Sequence, residues 1–565
     1  MLSSFRLSMT WLHTWFGLVL GFVLMVVFFF GSLSVFDREI DRWVSPDTRF
    51  EPQPMPSYDA MLGPLFSKLQ PEEEELEAAR KRVGGPLEPS LPVMNYGAYT
   101  THRDPVLELY AEFAVKNNPD DPDDHVHGHV TIDPRSAKVL PHDQLKIGSD
   151  FFYPMHFMLH LEWLGLGYYV VGVAALVMLA ALVSGVVIHR RLLRELFTFR
   201  PQKSTQRSSL DLHNLTGVLA LPFHFMFPLT GLIILGSVYF PVAETMFAPL
   251  EKAREQAELR ARGLPASPAG VPAKLASVDA MVANAKERWK ERGMPGEVGY
   301  LTVNHVGDAN SYVSVYRAGS DRVTLVGQAV HFSGPTGRLL YEEPAPSVVA
   351  GINDFLTGLH LQHFKHWLLR WLYVLGGLSG CACIATGLIF FVGKRRRRHA
   401  TMGIAGARWV DALAVATVTG MLTATLAILV ANRLLPSGLE HRGDWEKRCF
   451  WLVWLLAFAH AAWRSAPVQN GRLAPAWREQ CWVVCGLALA AVLLNWVTTG
   501  DHLVLTLRTG YWPVAGFDLA LLTTALVSAF AARQLARRER ATPADAIADA
   551  DIDELRDANP QSAHA

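Results

Sequence analysis

Histidines stand near the ends of several long apolar runs: His13 in TWLHTWFGL, His156 and His160 in YPMHFMLHLEWLGLG, His213 in SSLDLHNLTGV, and His360 and His363 in LTGLHLQHFKH. An imidazole without a partner beside hydrocarbon is costly, so ionisable residues at membrane depth are candidates for function. Imidazole is also an axial ligand of haem iron. Depth decides which of these rings could share a metal. With Arg190 and Lys394 as markers of the inner boundary, His160 and His360 lie about thirty residues away, near the outer surface at a rise of about 1.5 Å per residue. His13 and His213 start their runs near the inner surface. Two across-helix pairs follow, His13/His213 and His160/His360, each able to clamp one iron from opposite sides. The neighbours stay open as alternatives. His156 and His160 are four apart and share a helix face, and His360 and His363, three apart, nearly do. His224 returns to the face of His213 about 16 Å deeper and is held as a second-rank ligand. His189 reads as an interface residue. A zinc or non-haem iron site would need three or more clustered ligands, and Glu162 is the one carboxylate close to the outer group. No catalytic residue is named beyond the ligands.

These rings must be positioned by membrane helices. The chain has 565 residues, 50% hydrophobic and 18% charged. Eight apolar runs approach the roughly 20 residues that cross a bilayer. They are Trp11–Phe36, Phe152–Ile188, Leu215–Phe240, Trp367–Gly393, Val410–Val430, Phe450–Trp463, Trp482–Val497 and Val514–Ala532. The first reads as an uncleaved helix, because no small-residue cleavage site follows it. Net charge is zero, but Lys and Arg crowd HRRLLRELFTFRPQKSTQR, KRRRRH, WRSAPVQNGRLAPAWR and RQLARRER, each after an even-numbered run. Basic clusters beside apolar runs mark the cytoplasmic side, so both termini are expected inside and the two large loops outside. Glycines on the runs, among them Gly31, Gly185, Gly231 and Gly380, permit close approach of helices or of a flat ligand.

The expected organisation is a mainly α membrane protein of about eight helices with two α+β outer lobes. Its parts are helix one (1–36), a first lobe (37–150), helices two and three (151–240), a second lobe (241–353), helix four (354–398), a C-terminal four-helix bundle (399–535) and a tail (536–565) read as disordered. Within the lobes, PVLELYAEFAV, HGHVTIDPRSAKVL, EVGYLTVNHV, SYVSVYRAG and QAVHFSGPTGRLL read as strands. The acidic segment DDPDDHVHGHVTID, with Asp120, Asp121, Asp123 and Asp124 before His125, His127 and His129, could attract a divalent metal but reads first as a solvated loop. The five cysteines lie in or beside apolar runs and read as small buried hydrophobes. The C-terminal bundle reads as structural, with His460 its main polar exception.

The segments LHTWFGLVLGF with GSLSVFDREIDRW, LHLEWLGLG with LVSGVVIHRR, DLHNLTGV with PLTGLIIL, and LHLQHF with ATGLIFFVGKRRRR occur in one order over about residues 5–398. In this the chain resembles the PepSY-associated transmembrane family, iron-regulated membrane proteins that include di-haem ferric-siderophore reductases. The resemblance implies a bacterial inner-membrane protein with PepSY-like periplasmic lobes and two b-type haems, whose ligands fall at His13, His160, His213 and His360. It implies reduction of a ferric siderophore, or another ferric chelate, to release ferrous iron. With no Gly-rich dinucleotide fingerprint, the electron donor is expected to be a quinol, a reductase protein or a diffusible reductant. Membrane lipid is an expected partner and nucleic acid is not. Two other readings stand beside it: a haem-free membrane regulator whose lobes bind a peptide or peptidase, and a siderophore or iron permease.

Overall fold

The computed structural model describes residues 2–100, 103–116, 118, 124–140, 146–189, 200, 205–240, 242–325, 327–401, 406–465 and 473–540. Arg190, Arg191, Asp120, Asp121, Asp123 and the tail from 541 on lie outside the described residues. The chain divides into two compact units: Met1–Pro46, Asp143–Ile233 and the chain from Leu368 on, and Asp47–His142 with Ile234–Trp367.

The first unit is helical. Among the described residues six helices are long and apolar enough to cross a membrane, spanning Phe5–Ser34, Trp163–Ile188, Trp367–Gly393, Arg408–Leu434, Pro475–Thr499 and Trp512–Glu539. A bent pair, Gln206–Leu219 and Leu221–Ile234, makes a seventh span if counted as one. The helix Arg442–Arg464 stands where the sixth span was expected, but charges flank its apolar stretch at both ends. The protein is a multi-pass membrane protein.

Two spans depart from the continuous helices that their composition suggests. The second is broken. A short helix, α4 (Tyr153–Phe157), follows α1 (Leu2–Ser34), α2 (Asp37–Val44) and α3 (Glu73–Val83). The backbone then leaves the helix through Leu159, His160 and Leu164, with φ of 55°, 51° and 51°, before α5 (Leu166–Ile188) begins. Gly167 closes the break: a Cβ there would lie 1.7 Å from the Met158 carbonyl oxygen. His156 and His160 therefore do not share a helix face, and the depth count from Arg190 through an unbroken helix does not apply to His160. The third span bends by 64° between α6 (Thr205–Leu219) and α7 (Leu221–Ile234). Pro222 begins α7, and its ring excludes the carbonyl of residue 218 from a straight continuation.

The second unit holds both outer loops, and they share one sheet. Its strands are β1 (Val93–Tyr99), β2 (Leu107–Ala114), β3 (His125–Ile132), β4 (Val298–Asn304), β5 (Tyr312–Arg317), β6 (Ala329–Ser333) and β7 (Leu339–Glu342). Their order is β3-β2-β1-β4-β5-β6-β7, antiparallel throughout. The two expected lobes are thus halves of a single layer, joined where β1 pairs β4 with Tyr96 opposite Val303 and Ala98 opposite Leu301. One face carries Leu107, Leu109, Leu301, Val303, Val313, Val315 and Phe332, packed with Phe66, Met281 and Trp289. Between β3 and β4 run α8 (Val242–Ala261) and α9 (Val278–Glu291), and after β7 comes α10 (Val348–Leu361). α10 ends at Gln362, whose φ is 57°, so His360 lies in its last turn and His363 beyond it rather than on the same helix face.

The remaining helices belong to the first unit: α11 (Trp367–Thr401), α12 (Gly406–Val415), α13 (Met421–Leu434), α14 (Arg442–Arg464), α15 (Pro475–Thr499), α16 (Leu503–Thr509) and α17 (Trp512–Arg540). A π-helical turn, Ala416–Gly420, joins α12 to α13. That turn releases a main-chain carbonyl, and Trp454 Nε1 donates to it at Ala416 O, 2.9 Å. Phe30, Phe152 and Phe450 are buried together where α1 meets the C-terminal helices.

Candidate functional site

Within the first unit, α1, α5, α6 and α11 bring His13 and His213 together. The ring centroids are 6.0 Å apart and the planes nearly perpendicular, at 81°. His13 Nδ1 lies 2.9 Å from Ala181 O on α5, and His213 Nδ1 lies 2.8 Å from Cys383 O on α11. A carbonyl can only accept, so each Nδ1 carries the proton. The second nitrogen of each ring, Nε2, is then the unprotonated one and is suited to bind a metal, the usual arrangement when the other ring nitrogen is tied to a backbone carbonyl.

Glycines make room for these rings. A Cβ on Gly185 of α5 would come 3.3 Å from His13 Cε1, and one on Gly387 of α11 would come 3.1 Å from His213 Nδ1. Each imidazole therefore rests on the backbone of the helix whose carbonyl holds it. A 6.0 Å separation of ring centres would let both imidazoles hold one metal ion.

His156 repeats the pattern further along α1. Its Nδ1 donates to Val27 O at 2.8 Å, and it lies so close to Gly31 that a Cβ there would fall 2.6 Å from it. The arrangement is reciprocal: α1 presents His13 to the glycine of α5, and the chain leading into α5 presents His156 to the glycine of α1. His224 reaches the same stretch of α1 by its contact with Phe28, at 5.8 Å between centroids. Its bonds differ, because Nε2 faces Gly376 O at 3.3 Å and Ser379 Oγ at 3.2 Å. His160 also turns Nε2 to a carbonyl, Phe151 O at 2.9 Å, and its ring stacks on Phe151 at 4.7 Å. Both of these rings therefore carry the proton on Nε2, where His13, His156 and His213 carry it on Nδ1. His360 and His363 belong to the other unit, at and beyond the end of α10.

Glycine-backed histidines thus stand on α1, on α4 before the second span and on α6 of the third, and a family model for the PepSY-associated TM region matches residues 10–394. The chain belongs to that family. An uncharacterized protein of Pseudomonas aeruginosa is 27% identical over 355 residues, covering 60% of this chain and 83% of that relative. In this family member the match ends at residue 394, within the last turns of α11, so the helices from α12 on extend past the shared region.

The C-terminal helices hold a polar cluster that composition concealed. Gln480 Nε2 donates to Ala457 O at 2.8 Å and approaches His460 Nδ1 at 3.3 Å, while Thr419 Oγ1 donates to Gln480 Oε1 at 2.7 Å. His460 Nε2 lies 3.1 Å from Glu479 Oε2, and Arg464 binds both oxygens of the same carboxylate at 3.0 and 2.5 Å. Both nitrogens of His460 are thus engaged by side chains. At the other end of these helices Glu446 is buried against Asn432 Nδ2 at 2.9 Å and Arg442 at 3.4 Å. Asp518 accepts from Trp43 Nε1 at 2.8 Å.

In the second unit, Asp124 is held by Arg82 at 2.8 and 3.2 Å, which keeps its carboxyl below the usual range despite some burial. His127 and His129 are bonded to Glu75 and Glu72. Among the described residues no group of three or more His, Cys, Asp and Glu side chains is arranged to hold a metal ion. The thiols are free, and Cys383 contributes its carbonyl, with Sγ 3.4 Å from His213 Nδ1.

Proposed function

We propose that this family member is a di-haem electron-transfer protein of the bacterial inner membrane that reduces a ferric chelate, most simply a ferric siderophore, on the periplasmic side and so frees ferrous iron for uptake. One observation carries the reading: two imidazoles from different spans stand 6.0 Å apart with both Nδ1 protons committed to backbone carbonyls. His460, by contrast, has both nitrogens engaged by side chains. Rings destined for iron keep Nε2 for the metal.

His13 and His213 would hold the inner b-type haem, and His156 is assigned to the second, because it shares their tautomer and glycine backing. Haem iron supplies a one-electron carrier whose potential responds to its axial ligands and to burial. The chain's own part is to orient the ligands. The Ala181 and Cys383 carbonyls fix ring rotation and raise imidazole basicity, and Gly185 and Gly387 let the rings seat against neighbouring helices. Basic clusters after the even-numbered apolar runs of the sequence support both termini in the cytoplasm and both large loops outside. Ferrous iron binds hard-oxygen chelators more weakly than ferric iron, so reduction alone suffices for release, and no acid or base residue is required.

The test is an absorption spectrum of the detergent-purified protein before and after dithionite, with haem counted per chain. Two haems per chain with low-spin b-type bands are expected. A colourless, iron-free protein ends the proposal.

A further inference from the structure

α10 is amphipathic the wrong way round for a helix of a water-exposed lobe. Ser347 caps its first turn by accepting from Ala350 N. The face that packs on its own unit is set by Gly358, where a Cβ would lie 1.9 Å from Val323 O, and by Asp354 O, which accepts from Leu325 N at 3.1 Å. The opposite face carries Val348, Val349, Ile352 and Phe355, exposed to 81, 78, 56 and 45%. α9, in the same unit, shows the ordinary arrangement: Val278, Met281, Ala285 and Trp289 are buried and its charged residues point outward. A contiguous apolar face of this kind marks an interaction surface.

We infer that α10 lies in the outer interface of the bilayer, with Val348, Val349, Ile352 and Phe355 sunk among the upper acyl chains and its Gly358 side bearing the sheet domain. Continuity identifies the occupant. Six residues after Leu361 the chain enters α11, a membrane-spanning helix, whose first residues Trp367 and Leu368 are themselves exposed. Tryptophan at a span's end belongs to the headgroup level. The exposed face carries no charge, so it suits the hydrocarbon boundary rather than an ionic partner, and a helix of this composition binds by buried apolar area. The same geometry recurs before α5, where Leu161, Trp163 and Leu164 are exposed beside that span. One consequence concerns His360: the last turn of α10 holds it at the membrane surface, where a chelate arriving from outside would first meet the protein.

The experiment uses the full-length protein in phosphatidylcholine nanodiscs with a photoactivatable carbene on the acyl chain, mapping adducts by mass spectrometry. Adducts are expected on Val348, Val349, Ile352 and Phe355 at a level comparable with the outer turn of α11 and several-fold above α9. Ile352→Glu should lower labelling across α10 while leaving that of α11 unchanged. An α10 labelled no more than α9 overturns the inference, and so does an α10 shielded from lipid by crosslinks to a second copy or to another protein. The readout is independent of haem, so the loss of one conclusion leaves the other standing.

Discussion

The first four spans and the C-terminal helices both place histidine beside apolar residues, and they treat it in opposite ways. His13, His156 and His213 give one proton to a backbone carbonyl and lean on a glycine. His460 is enclosed by Gln480 and Glu479, with Arg464 completing the charge balance. A polar network satisfied at every atom stabilises packing and leaves nothing over for a ligand. A histidine anchored through Nδ1 alone leaves Nε2 suited to a ligand. The lesson is that residue type and depth nominate a ligand, while the hydrogen bond on its other nitrogen selects among nominees.

The contrast can be broken most directly at the inner pair. His13→Ala or His213→Ala should each remove one of two haems, read as haem per chain by pyridine haemochrome. Gly387→Val, which touches no iron, should do the same by forcing the His213 ring from its seat. Retention of both haems in all three variants would put the inner pairing aside.

The next effect sharpens the outer assignment. His156→Ala is expected to remove the second haem, whereas His160→Ala should keep both and cost only its stacking on Phe151, about 1 kcal/mol measured by thermal unfolding. The reverse outcome would return the role to His160.

On the other side of the comparison, Glu479→Gln should leave haem content and spectrum unchanged. Because the pair is one-third exposed, its loss should lower stability by only about 1 kcal/mol. A spectral change would mean that the C-terminal cluster bears on the haem sites.

The smallest effect is a pH dependence outside the spans. Asp41 on α2 is buried beneath Gly148 N, 2.7 Å away, and beside Ser149, and burial raises its carboxyl from 3.8 to about 7. A raised carboxyl binds its proton more tightly in the folded state, so its contribution is full below about 4 and is lost as pH rises towards 7. Melting temperature should fall over that window, and Asp41→Asn should flatten the slope.

Much of the architecture was legible from residues alone. Long apolar runs, the basic clusters behind alternate runs and the alternating strands of both loops follow from periods that short-range physics imposes. β1 was not legible, because Asn95 and Gly97 interrupt its alternation, yet it is the strand that joins the two loops. Its glycine is required by a neighbour: a Cβ there would fall 2.1 Å from the Tyr110 ring, which crosses it to stack on Tyr300. The break before α5 was equally hidden. An apolar run such as PMHFMLHLEWLGLG reads as helix throughout, and only the packing of Gly167 on Met158 shows where it turns.

Sequence by itself determined that this is a multi-pass membrane protein with histidines near the ends of its apolar runs and a beta-containing domain between spans, since hydropathy and side-chain period are local properties. Tertiary structure alone decided which carbonyl holds each imidazole, that two loops build one sheet, and that His156 rather than His160 meets α1. Those outcomes depend on contacts between residues far apart in the chain, and no local pattern encodes which distant backbone will arrive.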